Sequence, residues 1–130
     1  MSTYHIFISH AWRYGDQYNT VVDWLDESDL LWKNYSVPEH DPVDANNTIK
    51  LKEALTAQIR PASIVIIIAG MYAAHSYWID YEIDEAQRMN KTIIALKPRG
   101  NERMPLKVQD AANAVVNWNS KSLIETIQEY

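Results

Sequence analysis

The sequence predicts an α/β fold, a three-layer sandwich whose central layer is a five-stranded parallel sheet with strand order 2-1-3-4-5. Strand-like apolar runs and amphipathic helical segments alternate five times along the chain, which is typical of a parallel sheet with helices on both faces. The run at residues 63–69 is apolar on both sides, as in a central parallel strand. With 130 residues, of which 47% are hydrophobic, the chain can form one core but not two, so we expect a single domain over residues 1–130.

Two strands and a helix are predicted in the first part of the chain. Residues 4–8 are rich in β-branched and aromatic side chains and predict strand one. Asp16 can cap a helix that ends near residues 28–29, because apolar side chains recur at helical spacing between them. Residues 32–37 alternate without a fully buried run, which predicts an edge strand with one wet face.

A loop, a helix and the central strand follow. Residues 38–47 contain two prolines among acids and amides, and they predict an irregular loop. Thr48 can cap the second helix, which Pro61 stops because proline has no amide hydrogen to donate. Strand three then occupies residues 63–69.

The next part predicts a long helix and a second buried strand. Residues 70–75 turn the chain into a helix that begins at Ser76, whose hydroxyl can cap it. Asn90 gives this helix a polar stop. Residues 92–96 are apolar again and predict strand four.

The C-terminal part predicts the last strand and the last helix. A loop at residues 98–105 leads to residues 106–112, which fit one or two helical turns. Residues 114–118 predict a short fifth strand. Ser120 can cap a final helix, and the helical spacing turns Tyr130 inward.

Composition narrows the classes of function. The chain has no cysteine, which excludes disulfides, thiolate metal sites and a cysteine nucleophile. A formal charge of -5 with scattered basic residues argues against nucleic-acid binding. The longest apolar run is far shorter than the roughly 20 residues that cross a bilayer, and no secretion signal opens the sequence. We therefore expect a cytoplasmic protein without membrane contact.

Ligands of such a sheet bind outside the carboxyl ends of the strands, at the point where the strand order reverses. In this order that point lies between strands one and three. The residues that follow these two strands are therefore candidates for lining a substrate site: Ser9, His10, Ala11 and Trp12 after strand one, and Gly70, Met71 and Tyr72 after strand three.

The helix at the rim of this crevice carries a carboxylate on the margin of its buried face. Ile79, Ile83 and Ala86 form the apolar stripe of that helix. At roughly 100° per residue, Glu82 falls about 60° from the centre of the stripe, whereas Glu85 points further outward and is expected to be solvated. A carboxylate at such a margin can be partly desolvated and still reach a cleft, which favours Glu82 as the functional residue.

Several chemistries are absent from the sequence. Phosphate loops of the GxxxxGK and GxGxxG types are missing, and the four histidines are not spaced as metal ligands, so no metal is predicted. The crevice offers instead one carboxylate, the aromatic rings of Trp12, Tyr72 and Trp78, and a helix start near Ser76 whose free amides can hold a phosphate. These groups fit a nucleotide. Cleaving the bond between ribose and a cationic nicotinamide needs little acid catalysis, since the leaving group departs neutral, so one carboxylate can suffice.

Two motifs resemble those of a known family. Residues 4–11 read YHIFISHA and are similar to the opening box of TIR domains. The stretch Ser76-x-Trp78-x-x-x-Glu82 is similar to the one that carries their catalytic glutamate. The order of elements agrees over essentially the whole chain. Within the TIR family, the sequence resembles the short TIR-like proteins of the bacterial Thoeris anti-phage system.

This resemblance implies a flavodoxin-like fold and an enzyme that cleaves NAD with Glu82 as the catalytic residue. NAD is then a substrate, and no cofactor is implied. Ser76 and Trp78 join the candidate site residues, although Trp78 fits core packing equally well. In Thoeris proteins the product is a cyclic ADP-ribose-type signal that activates a partner effector, so an effector protein is the expected partner. Residues 38–47 occupy the place of the family's BB loop, which implies self-assembly through that loop.

Two other functions fit the same residues. A TIR-like interaction module binds its partners through its helices and residues 38–47, with Glu82 as a vestige. A nucleoside deoxyribosyltransferase-like enzyme also uses a glutamate on this type of fold. Such an N-glycosidase accepts deoxynucleosides and does not cleave NAD, so its substrate distinguishes it from the NAD-cleaving enzyme.

Overall fold

The computed structural model of the protein describes residues 3–9, 16–36, 48–100 and 103–130. The elements in these ranges are, in chain order, β1 (Tyr4–Ile8), α1 (Asp16–Glu27), β2 (Trp32–Asn34), α2 (Thr48–Ile59), β3 (Ile64–Ile68), a 3₁₀ turn (Ala69–Met71), α3 (Tyr72–Arg88), β4 (Thr92–Leu96), α4 (Leu106–Ala111), β5 (Ala114–Val116) and α5 (Ser120–Gln128).

The five strands form one parallel sheet in the order β2-β1-β3-β4-β5. β1 lies between β2 and β3, so that Ile6 is opposite Asn34 on one side and Ile64 on the other. β4 pairs with β3 along its whole length, and β5 forms the second edge. The predicted α/β class and strand order are therefore confirmed, and the strand order reverses between β1 and β3.

Helices cover both faces of this sheet. α1 contacts α5, whereas α3 contacts α2 and α4. Right-handed crossovers place these two groups on opposite faces, because the chain moves from β1 to β2 in one direction and from β3 to β5 in the other. β3 is buried on both faces as predicted, since none of its residues is more than 2% exposed.

Two further elements agree with the sequence. β4 has the predicted bounds. α4 confirms the helical turns predicted within residues 106–112. None of the described helices combines the length and the apolar character that a membrane span requires.

The edge strand is shorter than the sequence predicts. β2 ends at Asn34 instead of continuing through residues 32–37. The Asn34 side-chain oxygen accepts the amide N–H of Ser36 at 2.8 Å, which turns the chain out of the ladder. The Ser36 hydroxyl oxygen in turn accepts the N–H of Ile8 at 3.0 Å. The alternation of apolar and polar residues does not show that side chains of Asn34 and Ser36 compete with backbone carbonyls for these N–H groups.

The C-terminal helix begins at Ser120, and its cap is the preceding Asn119, which corrects the prediction that Ser120 caps it. The Asn119 side-chain oxygen accepts the N–H of Ser122 at 2.8 Å and satisfies an amide that the first helical turn leaves free. β5 ends earlier than predicted, at Val116, because the chain turns into this cap. The prediction for Tyr130 was wrong, since its side chain is 53% exposed beyond the end of α5.

Replacing a residue of β3 tests the central position of that strand. Ile66 is fully buried and lies opposite Ile8 and Ile94. We expect Ile66→Ala to lower the free energy of unfolding by about 2–5 kcal/mol, because it removes buried methyl groups and leaves a cavity. The same substitution at Ile49, which is 74% exposed on α2, should change it by less than about 0.5 kcal/mol. Urea unfolding measures both values, and equal losses would contradict this placement.

Candidate active site

Ser9 joins the carboxyl ends of the two strands between which the strand order reverses. Its amide N–H donates to the carbonyl oxygen of Ile66 at 2.9 Å. Its hydroxyl oxygen accepts the N–H of Ile68 at 3.2 Å, and the residue is fully buried. Ser9 therefore fixes β1 to β3 at the predicted crevice, with its hydroxyl already engaged by the protein.

The chain leaves β3 through the tight turn Ala69–Met71, which leads directly into α3. Gly70 in this turn lies against Gln17 from the first turn of α1. A Cβ atom on Gly70 would come within 2.8 Å of Gln17 Oε1, so only glycine leaves the Gln17 side chain where it is. Met71 is 8% exposed and packs with the core.

Gln17 is a residue of this region that the sequence reasoning missed. Its Oε1 atom is buried and has no hydrogen-bond partner among the described residues. A polar residue in the first turn of a helix gives little signal by itself, because such residues are usually solvated. The signal lies in the fold, which brings the start of α1 against the turn after β3.

α3 begins at Tyr72 rather than at the predicted Ser76. Its backbone is broken at His75, where φ is -133° and ψ is 30°, so a short turn precedes the regular helix. The Tyr72 hydroxyl donates to Asp80 Oδ1 at 2.8 Å and ties that turn to the regular part. The N-cap position is Met71, which corrects the prediction that the Ser76 hydroxyl caps α3. Apolar periodicity detects only the segment that follows the break, which explains the difference.

Glu82 is the buried carboxyl of this region. The residue is 3% exposed, and its carboxyl makes no hydrogen bond or ion pair with the described residues. The predicted stripe of Ile79, Ile83 and Ala86 is buried, and Glu82 is buried with it instead of lying at its margin. Because burial disfavours the charged form, it raises the pKa of Glu82 well above its ordinary value of 4.5.

Trp78 lies one turn before Glu82 on the same side of α3. Its side chain is half-buried and packs against the core. Its ring meets that of Tyr77 edge to face, with 5.0 Å between the ring centroids. Trp78 and Glu82 therefore lie on the same side of α3, and the side chain of Trp78 also takes part in core packing.

Glu85 has the opposite environment, and the prediction that it is solvated was wrong. Thr56 of α2 donates its hydroxyl to Glu85 at 2.6 Å, and Arg88 donates from Nε and Nη2 at 2.6 and 2.9 Å. The Tyr81 hydroxyl donates at 3.4 Å. Hydrogen bonds from Arg88 are the main cause that lowers the pKa of Glu85 to about 2. The carboxylate of Glu85 therefore links α2 to α3 and serves the fold.

Part of the predicted site lies outside the described residues. This applies to His10, Ala11 and Trp12 and to the loop at residues 38–47, so their part in the site stays a prediction. In the ranges that the structure describes, no group of three or more acidic or histidine side chains is placed to hold a metal ion. The described part of the site consists of Ser9, Gln17 and Gly70 at the strand ends, and of α3 with its buried Glu82.

The fold and the buried carboxyl together define a class of protein. It is a flavodoxin-like α/β protein in which the helix after β3 carries a buried glutamate. A sequence model of the family described as "Thoeris protein ThsB, TIR-like domain" matches residues 7–103, well over half of the 130 residues. The chain therefore belongs to the ThsB TIR-like family, and the resemblance to TIR domains is confirmed.

Among solved structures, the chain is similar to the CMP N-glycosidase BcmB of Clostridium botulinum. The sequence identity is 15% and the TM-score is 0.58, over 97% of this chain and 99% of that one. At this identity the likeness shows the fold alone. A comparison with curated proteins found no match.

The buried carboxyl of Glu82 should lower the stability of the folded protein at neutral pH. Its raised pKa means that folding favours the protonated form, and this contribution is lost as the pH rises from about 4.5 through the folded pKa. We expect Glu82→Gln to raise the melting temperature at pH 7 by roughly 3–6 °C and to change it little at pH 4. Thermal unfolding at both pH values measures this difference, and a lower melting temperature at pH 7 would contradict it.

Glu85 on the next turn provides a matched comparison with the opposite sign. Its folded pKa of about 2 is lower than its ordinary value of 4.5, so its stabilisation is present above pH 4.5 and is lost as the pH falls towards 2. We expect Glu85→Gln to lower the free energy of unfolding at pH 7 by about 1 kcal/mol, because the bonds to Thr56 and Arg88 weaken. Urea unfolding between pH 7 and pH 3 should show this loss shrinking. A pH-independent loss would mean that packing, not charge, is responsible.

Proposed function

We propose that this protein is a TIR-type enzyme that cleaves NAD, releases nicotinamide and makes a cyclic ADP-ribose-type signal that activates a partner effector. Membership of the ThsB TIR-like family supports this proposal. The observation that carries it is the state of Glu82, a carboxyl with 3% exposure and no ion pair among the described residues. A buried acid of this kind is costly to the fold, and such groups are concentrated in active sites.

The proposed reaction needs one carboxylate and no external acid. The bond between ribose C1′ and the nicotinamide ring nitrogen breaks, and its electron pair stays with the nitrogen, so nicotinamide leaves neutral. The positive charge remains on the ribose, where the carboxylate of Glu82 stabilises it. Water then attacks C1′ to give ADP-ribose, or a group of the same molecule attacks to close a ring. Attack by water or by a hydroxyl of the same molecule releases one proton, which the carboxylate accepts.

The environment of Glu82 suits a cationic substrate. Without substrate, burial favours the neutral carboxyl. A positive nicotinamide ribosyl group nearby favours the carboxylate, because an opposite charge lowers the pKa of an acid. In a site with little water, the attraction between this carboxylate and the developing sugar cation is stronger than in bulk solvent. The same burial that destabilises the free protein therefore strengthens the interaction that the reaction requires.

The wider role follows the family. The cyclic product acts as the signal, so the effector protein is linked to this enzyme through the nucleotide and not through a tight complex. Self-assembly through residues 38–47 belongs to the same proposal. We place the protein in the cytoplasm of a bacterium, where NAD is available and where defence against phage takes place.

A second candidate is a nucleotide N-glycosidase that does not use NAD. The similarity in fold to a CMP N-glycosidase favours it. Such an enzyme also breaks a bond between a sugar carbon and a base nitrogen, and one buried glutamate can serve both reactions. The two candidates differ in whether the leaving base carries a positive charge before cleavage.

The purified protein should be incubated with NAD and, separately, with CMP, and the released base and nucleotide products followed by chromatography. We expect nicotinamide release from NAD and a loss of roughly 100-fold or more in Glu82→Gln, because the charge that stabilises the transition state is gone. Glu85→Gln is the matched control, since its carboxylate is engaged by Thr56 and Arg88 and should not be needed for turnover. Assays with Glu85→Gln should be run well below its melting temperature.

The outcomes separate the candidate functions. Unchanged turnover in Glu82→Gln would exclude Glu82 as the catalytic residue. Release of cytosine from CMP without cleavage of NAD would favour the nucleotide N-glycosidase. A wild-type protein that cleaves neither substrate, also at concentrations high enough for assembly, would favour the interaction module.

A further inference from the structure

We propose that Gln17 is a substrate-binding residue whose side-chain oxygen accepts a hydrogen bond from the nucleoside part of the substrate. This inference rests on the proposed function, because it places the substrate at the carboxyl ends of β1 and β3. It adds a residue that neither sequence motif contains.

The first observation is an acceptor without a partner. Gln17 is half-buried as a residue, but its Oε1 atom is buried and accepts no hydrogen bond from any described residue. The neighbouring Thr20 shows what is usual, since its hydroxyl donates to the Asp16 carbonyl at 2.8 Å. A buried polar atom without a partner is rare, because it has given up water without replacing it. Such an atom is explained if a ligand supplies the missing donor.

The second observation is the place of this acceptor. Gln17 is in the first turn of α1, and its amide lies on Gly70 in the turn after β3. β1 and β3 are held together there by two hydrogen bonds, in which the Ser9 N–H donates to Ile66 and the Ser9 hydroxyl oxygen accepts from Ile68. The unpaired oxygen therefore lies at the reversal of strand order, where sheets of this type bind ligands.

The third observation is the lack of a side chain on Gly70. Any larger residue would displace the Gln17 amide, since even a Cβ atom would come within 2.8 Å of Oε1. Gly70 has no left-handed backbone conformation that would require glycine, because the described residues with positive φ are Asn90 and Gly100. The glycine is thus explained by the space that the Gln17 amide occupies.

The chemistry of the acceptor narrows the part of the substrate that it can bind. An amide oxygen takes only donors, and the phosphate oxygens of NAD are acceptors at neutral pH. The donors of the reacting half of NAD are the ribose hydroxyls and the carboxamide N–H of nicotinamide. The Oε1 atom of Gln17 therefore binds the nucleoside part and not the pyrophosphate.

A binding role and a purely structural role for Gln17 predict opposite effects of its substitution on the melting temperature. Methionine has nearly the shape of glutamine and lacks its polar atoms. If Oε1 is unpaired in the free protein, Gln17→Met should raise the melting temperature by about 3 °C while it weakens substrate binding. If the amide supports the fold, the same substitution should lower the melting temperature.

The experiment measures melting temperature without ligand and binding by calorimetry. Binding is measured in a Glu82→Gln background, which prevents turnover, with NAD, its nicotinic acid analogue and CMP as probes. We expect Gln17→Met to weaken NAD binding roughly tenfold. Gln109→Met is the matched control, because this glutamine is exposed on α4 and should change neither quantity.

The analogue identifies the donor. The nicotinic acid analogue has a carboxylate where NAD has the carboxamide, so it cannot donate there. If Gln17 accepts from the carboxamide, the analogue binds more weakly than NAD to the protein that retains Gln17. Gln17→Met then weakens the binding of the analogue no further. If Gln17 accepts from a ribose hydroxyl, Gln17→Met weakens the binding of NAD and of the analogue equally. Either pattern supports the inference.

Gly70→Ala provides an independent second variant. It should weaken binding while Gln17 is present, because the new methyl group displaces the amide. In a Gln17→Ala background the methyl group has room and should have little further effect. Equal losses in both backgrounds would mean that Gly70 acts without Gln17, and would count against the inference.

The inference and the proposed function can fail separately. Binding of CMP that depends on Gln17, without binding of NAD, would support Gln17 and remove NAD as the substrate. A lower melting temperature of ligand-free Gln17→Met, or binding of every probe unchanged by it, would overturn the inference even if NAD is cleaved. Binding of none of the three probes by the Gln17 protein would also overturn it.

Discussion

The structure depends on one strand, β3, which is buried on both faces and hydrogen-bonded along both edges. Its residues Ile64–Ile68 leave no face for solvent, so helices have to cover the sheet on each side. Parallel pairing to β1 and β4 requires crossover connections, and these place the helices. The same pairing creates the reversal of strand order beside β1. The core and the site therefore have a common origin.

α3 carries two glutamates one turn apart whose environments are opposite. Glu85 is held by Thr56 and Arg88, which stabilise its charge and tie α2 to α3. Glu82 lies one turn earlier and is buried without such donors among the described residues, and its pKa is raised instead of lowered. The residue type is the same, so the environment alone shifts the two pKa values in opposite directions. A carboxyl that weakens the fold is retained where the proposed chemistry needs it.

Two polar side chains at the carboxyl edge of the sheet also differ in whether they have a hydrogen-bond partner. The Ser9 hydroxyl oxygen accepts the N–H of Ile68 and holds β1 to β3. The Gln17 oxygen, a few ångströms away from Gly70, is buried without a described partner. Among the described residues, the buried Gln17 Oε1 atom has no hydrogen-bond partner and the buried Glu82 carboxyl has no ion pair, and these are the two groups that we propose to contact the substrate.

The sequence by itself determined the α/β class, the strand order, the buried β3, the apolar stripe of α3 and the motif that ends at Glu82, because these follow from local periodicity and from general rules of parallel sheets. The tertiary structure decided the rest. The cap at Asn119 and the break at His75 depend on backbone geometry that a pattern of apolar residues does not report. Full burial of Glu82, the partners of Glu85 and the position of Gln17 depend on contacts between elements far apart in the chain, which only the folded protein brings together.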